Sequence, residues 1–85
     1  MRNILKITHF ISFSGEHVPA TAENYAANIA PYSAVVAQKV AQAVASTDSH
    51  DKNAYALQSG MYARFATRSA VRAQELGFKF PELAE

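Results

Sequence analysis

Two hydrophobic patterns divide this 85-residue chain. Over residues 3–13 apolar and polar positions follow an extended period, with Leu5, Ile7, His9, Ile11 and Phe13 on one face and Ile4, Lys6, Thr8, Phe10 and Ser12 on the other. A helix aligning Ile4, Ile7 and Ile11 fits the spacing nearly as well, and the β-branched and aromatic composition decides for an extended arm over 1–14. The later pattern offers no second strand. The arm's unpaired backbone groups therefore point to the same strand of another copy as their partner.

From residue 20 onward the period becomes helical. Ser14 to Pro19 reads as a turn or linker, because Gly15 tolerates unusual dihedrals and Pro19 keeps Val18 out of the helical region. Residues 20–46 are helical with a break at Pro31: Thr21 is placed as an N-cap, Glu23 sits in the first turn, and Pro31 either kinks the segment or opens a new helix. In the second part Tyr32, Val36, Val40, Ala43 and Val44 share a face with Ala37, opposite Gln38, Lys39 and Gln42. A polar break at 46–50 follows, with Asp48, Ser49 or Asp51 available as a cap. The main helix covers 50–77, and a tail occupies 78–85. Its stripe of Tyr55, Tyr62, Phe65, Ala66, Ser69, Ala70, Ala73 and Leu76 ends at Gly77, where a left-handed C-cap is expected.

The predicted fold is mainly α: a small hairpin of two principal helices plus a short N-terminal helix, with an extended arm. Composition adds a reason for self-association. So short a chain buries a small fraction of its surface, the absence of cysteine removes disulfides and thiolate metal sites, and much of the apolar content is alanine. Leu57 and Met61 lie about 100° from the main stripe, so the apolar arc is wider than a two-helix hairpin covers. The expectation is a homo-oligomer, at least a dimer, with Leu57, Met61, Phe65, Ile7 and Ile11 as interface residues.

Net charge is +1, which gives no bulk electrostatic case for binding nucleic acid. Lys6 and His9 interrupt the N-terminal apolar run, and nothing approaches the ~20 apolar residues of a membrane span, so a cytoplasmic address without membrane contact is expected. His9, His17 and His50 lack metal-ligand spacing, so no metal is expected. Three glycines form no phosphate loop, and neither a cysteine nucleophile nor a Gly-x-Ser-x-Gly elbow is present, which argues against an enzyme and against a cofactor.

The sharpest local feature is Arg64, Arg68 and Arg72 on the main helix, four residues apart. Successive members drift by about 40°, forming a slanted ridge of permanently charged forks suited to phosphates or carboxylates. The plain alternative is a solvated face with an Arg72–Glu75 pair. Neighbouring Tyr62 adds an aromatic surface for stacking beside the clamp, so Arg64, Arg68, Arg72 and Tyr62 are the candidate ligand-binding residues.

The run Leu57-Gln58-Ser59-Gly60-Met61-Tyr62-Ala63 resembles the Leu-Gln-x-Gly-Phe-Met-Ala helix motif of small phage proteins that sequester cyclic oligonucleotide messengers, the anti-CBASS sponges. Gly15 and Asn28 stand at compatible upstream spacing. The resemblance covers about a tenth of the chain, and it departs at Glu16, where a tyrosine is expected, and at the step of the following arginine. It implies a helical oligomer that binds its ligand between protomers without chemistry. The functional expectation is a non-enzymatic phage or mobile-element protein that counters host defence by holding a cyclic nucleotide. Two alternatives stand beside it: an inhibitor or adaptor binding a host protein through Leu57, Met61 and Phe65, and a ribbon–helix–helix DNA-binding regulator built on the intermolecular strand.

Overall fold

The N-terminal apolar segment finds a partner inside its own chain. The computed structural model describes residues 7–80. In it β1 (His9–Ile11) pairs antiparallel with β2 (His17–Pro19), setting Phe10 opposite Val18 and Ile11 opposite His17. The connection is closed by the Gly15 N–H donating to the Ser12 carbonyl at 2.9 Å and the Ser12 N–H donating to the Glu16 carbonyl at 2.8 Å. Gly15 takes φ 91° there, a value costly for any residue with a Cβ.

This hairpin corrects the expectation of a lone strand paired with another copy. The second strand is three residues long and ends in proline, so it leaves no alternating signature, and proline is tolerated at such an edge position. The element order is strand–strand–helix–helix–helix, and the ribbon–helix–helix reading thereby loses the single strand it requires. The expectations for residues 1–6 and for the tail beyond Phe80 lie outside the described residues.

Three helices follow. In α1 (Ala22–Ala27) the Thr21 hydroxyl accepts the Asn24 N–H at 3.1 Å, satisfying one of the donors that a helix start leaves free. The break anticipated at Pro31 falls earlier, at Asn28, and Pro31 sits within the first turn of α2 (Ile29–Ala45), where its missing N–H has no intrahelical partner to lose. Asn28 also ties the hairpin to this corner, its Oδ1 accepting the Phe13 N–H at 3.0 Å.

A short loop leads to α3 (Ser49–Glu75), 27 residues long. Tyr32 of α2 lies against Tyr62 and Phe65 of α3, while Lys39, two turns further on, places its ammonium 5.6 Å from the Tyr55 ring centroid. Numbers rise on one helix as they fall on the other, so the pair is antiparallel. At the far end Gly77 adopts φ 97°, its N–H donates to the Gln74 carbonyl, and the Phe78 N–H reaches the Ala73 carbonyl at 2.9 Å. Those two bonds are the paired closure of a Schellman cap, which satisfies carbonyls that the helix end leaves open.

The buried stripe of α2 differs from the one read off its valines. Tyr32, Val35, Val36, Lys39, Gln42 and Ala43 are half-buried, whereas Val40 is exposed and Val44 is 75% exposed. Valine and alanine occur all round this helix, so the period is shallow, and the aromatic rings of α3 decide which side packs. Lysine suits the seam because its aliphatic stem can lie along apolar surface while its charge stays out. Leu76, expected on the α3 stripe, is likewise exposed at the helix end.

The deeply buried residues cluster at one place. Ala22, Tyr25, Asn28, Ser69 and Ala73 all belong to α1, its C-cap or the C-terminal half of α3, two helices in contact. Among the described residues no helix is long and apolar enough to cross a membrane.

Candidate functional site

The arginine row stands on the half of α3 beside this buried cluster. Arg64, Arg68 and Arg72 are all exposed, and with Ala63, Thr67, Val71 and Glu75 they line an open trough of about 570 Å³. Every one of those residues belongs to α3. One helix cannot enclose a ligand, so the trough is a charged surface rather than a binding cavity, despite its volume.

A second hollow of about 430 Å³ is better built. It is walled by Ile7, His9, Phe10 and Ile11 at β1, Tyr25 and Asn28 at the end of α1, Tyr32 of α2, and Phe65, Arg68, Ser69 and Arg72 of α3. Four elements converge on it, and the helical drift of the arginine row turns Arg68 and Arg72 toward it while Arg64 remains on the trough alone. The result is a groove with an aromatic wall and two guanidinium groups at its edge.

The aromatic wall is fixed by mutual packing. Phe10 stacks on Tyr25 with centroids 4.2 Å apart and planes 4° from parallel. Tyr32 takes Phe13 edge-on at 5.1 Å and tilts against Phe65 at 5.5 Å. Offset and edge-on contacts of this kind add about 0.5–1.5 kcal/mol each beyond area burial, so the rings are held in place before any ligand arrives.

Charge balance at the site is one-sided. Arg72 Nη1 lies 3.3 Å from Glu75 Oε1 in the i,i+3 pair expected from the spacing. Both side chains are about half exposed, so the pair contributes little to stability. Among the described residues it is the one ion pair, leaving Arg64 and Arg68 without a carboxylate.

The structure separates the residues singled out from the sequence. Arg64, Arg68 and Arg72 stay together, but Tyr62 lies in the α2–α3 seam against Tyr32 and Phe65 and lines neither hollow. Phe65, expected at an interface, packs in that same aromatic cluster and reaches the groove. Leu57, Met61, Ile7 and Ile11 are exposed. The sequence pattern alone does not mark Phe10, Asn28 and Ser69 as site residues. The legible signal for the last two was a polar residue set among alanines, Asn28 between two helical runs and Ser69 within an apolar stripe.

His9 and His17 stack across the hairpin with centroids 5.2 Å apart, and among the described residues no group of three or more His, Cys, Asp or Glu side chains is placed to hold a metal ion. A comparison with protein-family models, curated proteins and solved structures finds no match to this chain.

Proposed function

We propose that this protein is a non-enzymatic binding protein that sequesters a phosphate-bearing nucleotide, of the cyclic oligonucleotide kind, on the arginine face of α3. The observation that carries this reading is the sharing of Arg68 and Arg72 between an aromatic groove and the open trough that holds Arg64. Guanidinium forks bind phosphate bidentately, aromatic rings accept bases by stacking, and two such features in contact match the two halves of a nucleotide. Holding a messenger without turning it over depletes it, which is how such a protein would blunt a host defence in the phage setting that the Leu57–Ala63 resemblance implies.

The reading includes self-association. Ile7, Ile11, Leu57 and Met61 are large apolar side chains left in water, and in this reading a second copy covers them.

Isothermal titration of the full chain against cyclic di- and trinucleotides tests the proposal. The expected outcome is saturable binding with the ligand recovered chemically unchanged, weakened about 10- to 100-fold when Arg64→Ala and Arg68→Ala are combined, from the usual strength of hydrogen bonds to charged groups. Absence of heat across the panel sinks it. Retention of one specific host protein with no small ligand would favour the adaptor reading instead.

A further inference from the structure

Among the hollows and patches of the molecule, the groove between β1 and α3 has a feature the arginine row alone does not explain. Its lining includes two polar side chains more than nine-tenths buried, Asn28 at 5% and Ser69 at 7% exposure. Among the described residues neither the Ser69 hydroxyl nor the Asn28 Nδ2 has a hydrogen-bond partner, Asn28 using its Oδ1 for the Phe13 N–H, and both atoms reach the open space of the groove rather than being sealed from solvent. Water satisfies such atoms in the free chain, and a polar ligand entering the groove takes over the hydrogen bonds that the water makes there.

We infer that this groove, rather than the outer trough, is the ligand site, and that it takes one nucleoside monophosphate unit per chain. The phosphate lies at Arg68 and Arg72, the base lies along the Tyr32 and Phe65 wall, and Ser69 and Asn28 hydrogen-bond its polar edge or its sugar. The inference rests on the nucleotide-binding reading above and sharpens it to a location. At about 430 Å³ the groove falls within the range of small-molecule sites. With one unit per groove, a cyclic dinucleotide spans the grooves of two copies. Arg72 must leave or share Glu75, a rearrangement that a half-exposed pair permits at little cost.

The test is titration of the full-length chain with adenosine and guanosine monophosphates, with inorganic phosphate and the two nucleosides as controls, followed by 3′,3′-linked cyclic dinucleotides. Wild type should bind a monophosphate more tightly than either phosphate or nucleoside, and should bind cyclic dinucleotide at one per two chains. Ser69→Ala should weaken the monophosphate about three- to tenfold, the worth of one neutral hydrogen bond, with an unchanged melting temperature. Ser69→Val, which adds bulk without polarity, should weaken it further. If Arg68→Gln abolishes nucleotide binding while both Ser69 variants bind as wild type does, the ligand lies on the outer trough, and this inference falls while the functional reading stands. If no nucleotide binds the wild-type chain, both fall together.

Discussion

The two halves of α3 have different surroundings. Its C-terminal half is covered by α1 and faces the hairpin, and there Tyr25, Asn28, Ser69 and Ala73 are buried, Ala73 completely. Among the described residues its N-terminal half packs against α2 and has no covering third element. Val44 and Leu57, the two most exposed large apolar residues among those described, flank that half, and the amide oxygens of Gln42 and Gln58 are buried there with no hydrogen-bond partner among the described residues. A helix pair buries one stripe on each partner, and a third layer is needed to close a core around the rest. The covered half has that layer, and the groove forms at its margin. Among the described residues the open half lacks it, and Val44 and Leu57 are exposed there.

The contrast predicts unequal responses to substitution. The largest should come from Tyr25→Ala, which removes a buried ring stacked on Phe10 and should cost about 3–4 kcal/mol in urea unfolding. A loss below about 1 kcal/mol would show that stability is not concentrated at the covered end. Next comes Gly60→Ala, in the middle of α3. A Cβ there meets nothing within 4 Å, so the alanine should add about 1 kcal/mol and raise the melting temperature by roughly 4–8 °C. A fall instead of a rise would sharpen the comparison differently, by revealing a second backbone packed on the open half. The smallest effect on folding is expected from Leu57→Ser, within about 0.5 kcal/mol because the side chain is already mostly in water. Its consequence should appear in light scattering, as a smaller particle mass at equal concentration. An unchanged mass would remove Leu57 from the proposed contact between copies.

Local signals were readable wherever the chemistry is local. Thr21 caps α1 through an atom three residues away, Gly77 closes α3 by adopting a left-handed conformation, and the stripe from Tyr55 to Ala73 packs as its spacing requires. The hairpin is not legible in the sequence because three-residue strands fall below the length at which alternation is visible. The α2 face was misread because valine and alanine surround that helix, leaving Tyr55, Tyr62 and Phe65 of its neighbour to choose the buried side. Of the site, the arginine spacing was legible and the cavity was not. Phe10 and Ser69 are 59 positions apart in sequence, and only folding sets them in one wall.

What the sequence determined by itself was the helical character of the chain, the helix ends and the four-residue spacing that keeps three arginines on one ridge. Each depends on backbone geometry and on neighbours within a few residues. Tertiary structure alone decided that the arm folds back as a hairpin, that Arg68 and Arg72 turn into an aromatic groove while Arg64 does not, and that Tyr62 serves the helix seam. Those outcomes depend on which faces of distant segments meet, and a strand, a short helix and a long helix must all be in place before the groove has walls.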